Sequence, residues 1–291
     1  MLMAGMIVLN EEEYLEANLR QHYCWVDHLV IVEGADVHYP RDRVSESGLS
    51  LDRTAEIVRS FPDPDHKITF IQNGWAGDGR EGHGKTVLRD RYAEHFRRFG
   101  LRGWLLHLDA DEFFLQSDHA QISQWMQNAE QRGKWALRLP TVHFWHGFDR
   151  IVTGGYYDID HVRFFRFQGD MAYRYSDEGS HNWPKFDDGT PVHRRGLVSC
   201  RRSLISCRNA LSLQHNGRDH DGPCCYHFGF AKSEQSVLDK TRYYENRGEG
   251  VSRPGTIADR RSWFVRDWDE AGGLCVFPWG GSIPEALRGR S

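Results

Sequence analysis

The chain is predicted to be an α/β protein with a mostly parallel sheet, and three observations carry that expectation. Short apolar runs alternate with helical stretches through the first hundred residues, the rhythm of parallel strands joined by crossovers. The first of these, Gly5-Met6-Ile7-Val8-Leu9, and the second, His28-Leu29-Val30-Ile31-Val32, make with the helix between them a strand–helix–strand unit of about thirty residues. A later run, Leu105-Leu106-His107-Leu108, ends in Asp109-Ala110-Asp111-Glu112, three carboxylates within four positions. Acids crowd against a buried strand only if something positive neutralises them. A divalent cation held by oxygen ligands would do so and could hold substrate phosphates in turn. In an extended strand Asp109 and Asp111 would share a face. The alternative is a strand end whose acids cap the next helix.

Taken in order, Asn10 after the first strand, with Glu13 three residues on, fits an N-cap and its reciprocal acid. Leu15, Leu19 and Tyr23 follow at helical spacing, and the second strand ends in Glu33. Residues 34–50 are polar and contain Pro40 and Gly48; a loop of that length inside a compact domain favours a functional or mobile role. Asp52 can cap a helix from Arg53 to Phe61, Lys67 to Ile71 is a third strand, and Gly74 to Gly84 is a glycine-rich loop. Thr86 to Phe99 is a charged helix, and Trp104 to Leu108 is the strand that delivers the acids. Further on, Ile122 to Arg132 reads as a helix, Lys134 to Phe144 and Arg163 to Phe167 as strands, and Ser233 as the start of a last helix through Tyr244. No internal repeat interrupts this order, and the expectation is one domain, with residues 1–120 and 121–291 as interdependent halves.

Bulk properties exclude several classes. A net charge of −4 gives no general attraction to nucleic acid or anionic membrane. No window is apolar for long enough to span a bilayer, and the first ten residues are too short and uncharged for a signal peptide, so a soluble cytoplasmic protein is expected. Six cysteines without a C-x-x-C pair point to free thiols, with a disulfide or zinc site among Cys200, Cys207, Cys224 and Cys225 as the alternative.

With these pieces in order, the chain resembles the family 2-like glycosyltransferases of the GT-A fold. The matching segments are Ile7-Val8-Leu9-Asn10-Glu11-Glu12, Val26 to Glu33, Asp52-Arg53-Thr54-Ala55-Glu56-Ile57 and Leu108-Asp109-Ala110-Asp111-Glu112-Phe113. Arg163-Phe164-Phe165-Arg166 and Tyr226-His227-Phe228-Gly229-Phe230, followed by Lys240, look similar to later segments of bacterial members. The resemblance implies a Rossmann-like GT-A half that binds a nucleotide-sugar, followed by a smaller α+β acceptor-side half. It implies a nucleoside contact at Glu33, with Asn10 beside it and the next acid at either Asp36 or Asp52, and a diphosphate and metal site at Asp109 and Asp111. His227 would complete the coordination; otherwise it packs between Tyr226 and Phe228. Mn²⁺ or Mg²⁺ is the implied cofactor, and a histidine ligand tips the choice towards Mn²⁺.

The implied reaction is transfer from a nucleotide-diphosphate sugar, with a UDP-sugar expected, to a saccharide, lipid-linked glycan, protein or modified nucleic acid. Lys85 and Arg89, four apart on one helix face, and Lys240 are phosphate candidates. An inverting mechanism needs a carboxylate base. Asp177 or Glu178 is the expected one, and Asp187 and Asp188 compete with them. The arginines from Arg194 to Arg208 could meet a phosphorylated acceptor or form a solvated strand pair. Two rivals stand beside this reading. A nucleotidyltransferase would show a glycine-rich basic loop where Asn10-Glu11-Glu12-Glu13 stands, and those acids would repel a triphosphate. A non-catalytic sugar-binding protein on the same fold is the other.

Overall fold

The structure, a computed structural model, describes residues 1–80, 82–153, 161–174, 184–199, 223–247 and 275–288. The chain opens with a strand–helix–strand unit: β1 (Leu2–Val8), α1 (Leu15–His22) and β2 (His28–Glu33), the two strands parallel from Met3 opposite His28 to Val8 opposite Glu33. α2 (Thr54–Ser60) leads to β3 (Ile68–Gln72) on the outer side of β2. α3 (His83–Arg98) then carries the chain back, and β4 (Gly103–Asp109) pairs in parallel with the free flank of β1. The strand order therefore reverses between β1 and β4. In open α/β sheets ligands bind outside the carboxyl ends of the strands at such a reversal.

The apolar patterns explain the layers. Leu2, Ala4, Met6 and Val8 face one side of the sheet, where Leu15 and Leu19 of α1, Ile57 and Val58 of α2, and α4 (His119–Gln131) cover them. Met3, Val30 and Val32 face the other side, under Leu88, Tyr92, Ala93 and Phe96 of α3. Gly5 permits the close seat of α3: a Cβ there would stand 2.5 Å from the Tyr92 ring. Burial on both faces is why these strands read as unbroken apolar runs.

The full sheet adds β9 (His161–Phe167), β6 (Ala136–Leu139) and β10 (Leu197–Ser199) beyond β4, and β9 alone among its described strands runs antiparallel. The fold is thus α/β with a mostly parallel, Rossmann-like sheet in its first half. A second sheet has the order β12 (Cys275–Pro278), β8 (Arg150–Thr153), β7 (Thr141–Trp145), β11 (Cys225–Phe230), β5 (Glu112–Phe113). Its core is aromatic, with Tyr14, Phe113, Phe144, Tyr226 and Phe228 packed together. α5 (Glu234–Asn246) closes the described chain against residues 38–43, and Ser233 caps it by accepting from Ser236 N–H, as its sequence predicts.

Four local expectations are corrected. Asn10 does not cap α1, which starts at Leu15; Asn10 takes a left-handed φ of 52°, and its amide binds Arg43 O and Leu51 N–H instead. The stretch from Lys134 to Phe144 is two strands in different sheets, because Pro140 between them has no N–H to continue a ladder. Asp109 and Asp111 do not share a strand face, since β4 ends at Asp109 and a tight turn leads into β5. Residues 34–50 form no loosely attached loop. Ala35 and Val37 bond to Gly48 O and Ala76 O, and Trp75 N–H bonds to Ser47 O. Asp52 does serve α2, accepting from Thr54 N–H at 2.9 Å. Cys24 and Cys225 are free thiols; Cys200 and Cys207 lie outside the described residues.

Candidate functional site

The acid turn sits where the two sheets meet. Asn18, buried on α1, donates its side-chain amide to the carbonyls of Asp109, Ala110 and Glu112, and Phe228 N–H bonds to Asp111 O at 2.8 Å. The turn is therefore gripped from one side by α1 and from the other by β11. Its three carboxylates share two cations, Arg163 and Lys232.

Asp109 pairs with Arg163 of β9 at 3.2 Å and faces His107 at 3.8 Å. Burial works to raise its carboxyl, but Arg163, His107, Arg89 and Lys85 outweigh it and hold Asp109 well below the usual carboxylate range. Its side chain keeps 32% of its surface, against 8% for Asp111, so it is the acid of the turn that an incoming ligand reaches more readily. Glu112 is wholly buried and paired with the same guanidinium; burial pushes its carboxyl up to about 8 against the pull of Arg163. Asp111 receives the ammonium of Lys232 at 3.0 Å, and that ammonium also reaches Glu11 at 2.6 Å. Burial would raise Asp111 too, and Lys232, His227 and Lys240 hold it down. Glu11 stands differently: burial lifts its carboxyl to about 7, with Lys232 opposing. The neutralising charge that the acid cluster demands is thus supplied by two side chains, Arg163 and Lys232.

His227 Nε2 lies 3.7 Å from Asp111 Oδ1, beyond hydrogen-bond reach, and its Nδ1 lies 2.8 Å from Nδ1 of His143 on the neighbouring strand. Burial holds both imidazoles neutral, His227 down to about 4 and His143 well below its usual value. Gly229 keeps the Nε2 side open, for a Cβ there would meet His227 Nε2 at 2.5 Å and Lys240 Nζ at 2.9 Å. Among the described residues no three His, Cys, Asp or Glu side chains converge as a metal cage. Asp111 Oδ1 and His227 Nε2, a carboxylate and an imidazole 3.7 Å apart, are the two groups there able to ligate a divalent ion, and Lys232 already stands 3.0 Å from the same carboxylate.

The other expected residues divide into two sets. Lys85 lies over the rings of Tyr243 and Tyr244, at 5.3 and 5.7 Å, and Arg89 is buried near His107 and Asp109. Lys240 stands over Phe230 at 5.0 Å, beside Gly229. These three cations do converge on the turn. Glu33, Asn10 and Asp52 instead fasten residues 34–53. The two oxygens of Glu33, fully buried, accept from Ser50 N–H and the Gln72 amide; those of Asp52 accept from Thr54 N–H and Glu12 N–H. Asp36 differs: Oδ1 accepts from His38, while its buried Oδ2, tight against Gly84 at the start of α3, has no hydrogen-bond partner. Asp187 and Asp188 are exposed turn acids bonded to Arg174, Arg195 and Thr190. Asp177 and Glu178 lie outside the described residues, as do Arg201, Arg202 and Arg208.

Sequence reasoning missed Glu11 as a member of the site, and it missed Arg163, Lys232 and His143. Glu11 was legible as an acid directly after the first strand. Lys232 carried no signal beyond following the segment Tyr226 to Phe230.

No family model matches this chain, and no curated protein does. Among solved structures it is similar to residues 1–349 of S. aureus TarS, with 9% identity over 90% of this chain and 69% of that one, at a TM-score of 0.43. A second S. aureus TarS structure has 10% identity over 92% of this chain at a TM-score of 0.39, and this chain spans 44% of its length. Likenesses this loose have no bearing on the site. No described helix is long and apolar enough to cross a membrane.

Proposed function

We propose that the chain is a glycosyltransferase that moves a sugar from a nucleotide-diphosphate donor, a UDP-sugar, to an acceptor hydroxyl. One observation carries the reading: Asp109, Asp111 and Glu11 meet Lys232, Lys240, Arg89 and His227 at the carboxyl ends of β1 and β4, where the strand order reverses. A diphosphate leaving group needs fixed positive charge around it, and an acid beside those cations keeps them aligned.

In this reading Lys85, Arg89 and Lys240 bind the diphosphate. Asp36, three residues beyond the end of β2, with a buried oxygen that has no partner among the described residues, takes the nucleoside role in place of Glu33 and Asp52, whose oxygens are already engaged. Asp111 and His227 would hold Mn²⁺ or Mg²⁺, which would supply further charge for the leaving phosphate. The bond from the anomeric carbon to the phosphate oxygen breaks and one to the acceptor oxygen forms. The acceptor proton passes to a carboxylate, assigned to Asp177 or Glu178, and the configuration inverts. The two halves act as a single unit because Glu11, Asp109 and Asp111 of the first are paired with Arg163 and Lys232 of the second. The test is release of nucleoside diphosphate from a panel of nucleotide-sugars with Mn²⁺ or EDTA. Turnover of a UDP-sugar that is lost in Asp111→Ala is expected, and turnover of none of the panel by the native chain contradicts the reading.

A further inference from the structure

Arg138, on β6, is a half-buried guanidinium that no described residue engages: its Nε is buried without a hydrogen-bond partner, and no carboxylate or ring is paired with it. The other half-buried arginines described, Arg43, Arg97, Arg166 and Arg247, hold Asp239, Asp90, Glu130 and Tyr243 in turn. Ser199 is the last residue of β10 and the register partner of Arg138, and its buried Oγ has no partner among the described residues either. Buried donors are costly to leave unmet, so two side by side point to a ligand that would meet them.

Their place in the sheet ties them to the site already described. Leu137 and Leu139 join the core beneath α1 and α4, so Arg138 between them lies on the opposite face, under α3, as do its neighbours Ala136 and Val162. Ser199 follows Val198, which packs on the α1 side, and so shares the α3 face with Arg138. Both stand at the carboxyl ends of their strands, the edge at which β4 delivers Asp109. Only β9 separates β6 from β4, which places the pair about 10 Å along that edge. The turn Val192–Arg195 leading into β10 is basic, and burial, then Arg194 and Arg138, hold His193 there below its ordinary value. An unengaged guanidinium in such a setting suits an oxyanion, whose oxygens it can bind in pairs. We propose that Arg138 and Ser199 form an anion subsite of the acceptor, binding a phosphate or carboxylate carried by the molecule that is glycosylated. The spacing leaves room for the transferred sugar between the diphosphate and this anion. The acceptor role rests on the glycosyltransferase reading; the anion site itself does not.

The test is calorimetric titration of the full chain at low salt with glycerol 3-phosphate, glucuronate and uncharged glucose, with UDP present to fill the diphosphate site. One of the two anions is expected to bind at least about tenfold more tightly than glucose, and which one identifies the acceptor's charged group. Arg138→Met should weaken that anion about 10–100-fold. Arg138→Lys, which keeps the charge and loses the fork, should fall between, and Ser199→Ala should cost about threefold. The urea midpoint of Arg138→Met should be no lower than that of the native chain, because an apolar stem replaces an unpaired cation. If it is lower, Arg138→Lys decides: native anion affinity there overturns the inference, and an intermediate one upholds it. Binding of neither anion by the native chain, or equal affinity in a stable Arg138→Met, overturns it as well. UDP binding without either anion would do so and leave the donor reading standing. An anion held through Arg138 by a chain that takes no UDP would strike the donor reading instead.

Discussion

The buried acids of one half of the chain meet their ion-pair cations from the other. Residues 1–120 deliver Glu11, Asp109, Asp111 and Glu112 at the ends of two parallel strands. Residues 121–291 deliver Arg163 from β9, Lys232 from the turn after β11, and Lys240 from α5. A buried carboxylate or ammonium left alone is costly, so neither set is stable in its position without the other. The difference teaches that the site is an assembly feature: the acids are local in sequence, and the cations arrive through tertiary structure.

Acid should break that assembly first, and by the largest amount. His22, His161 and His227 are lowered by burial to about 3, 3 and 4, and His107 and His143 lie well below their ordinary value. In the unfolded chain they take a proton near pH 6.5, while the folded chain refuses it. The unfolded state therefore binds more protons below that pH, and stability falls as pH drops. Each such histidine forfeits about 1.4 kcal/mol per pH unit below 6.5. Glu11 and Glu112, raised to about 7 and 8, stay protonated in the folded chain and oppose this at two sites against five. Urea midpoints measured from pH 8 to 5 should therefore rise slightly from 8 to 7 and fall below about 6. A flat profile would mean that these rings are not held neutral.

Next in size is Lys232→Met, which leaves Glu11 and Asp111 buried without their shared cation. The expected loss is about 3–5 kcal/mol, read from denaturant unfolding. Lys240→Met, at a cation with no ion pair among the described residues, should cost under about 1 kcal/mol and weaken UDP binding instead. If the two variants lose stability equally, the distinction between the paired and the unpaired cation fails.

Glu33→Ala tests the strand-end acids. Glu33 resembles a nucleoside contact in sequence, yet it holds Ser50 N–H and the Gln72 amide. Its loss should cost about 2 kcal/mol of stability through the two lost hydrogen bonds of a buried carboxylate, with any effect on UDP following from the loosened loop. Asp36→Asn, by contrast, should weaken UDP binding with little loss of stability. A Glu33→Ala chain of native stability that no longer binds UDP would restore the first assignment. The smallest effect belongs to Asp52→Ala, about 1 kcal/mol from the lost bond at the start of α2 and unchanged UDP affinity.

These contrasts also mark what was legible in the sequence. Strands β1 to β4 and helices α1 to α3 were readable because burial on both faces writes long apolar runs, and Ser233 was readable because a cap is a local bond. The position of Asp109 and Asp111 at a strand end was readable for the same reason. Their partners were not, because nothing in the neighbourhood of Arg163 or Lys232 encodes a contact more than fifty residues away. Asn10 misled because its type suits both a cap and a left-handed turn, and the choice was made by Arg43 and Leu51 across the loop. Pro140 was visible but its consequence was not: a strand break became a change of sheet only once β11 supplied a partner for β7.

The central claim is that both halves together form a diphosphate site at the reversal between β1 and β4. Calorimetric titration of the native chain with UDP, UMP and uridine in Mn²⁺ tests it most directly. UDP should bind at least about tenfold more tightly than UMP, and UMP more tightly than uridine, since each added phosphate meets another fixed charge. In Asp111→Ala the advantage of UDP over UMP should disappear. Equal affinity for UDP and uridine in the native chain, or an advantage of UDP that survives Asp111→Ala, would contradict the account.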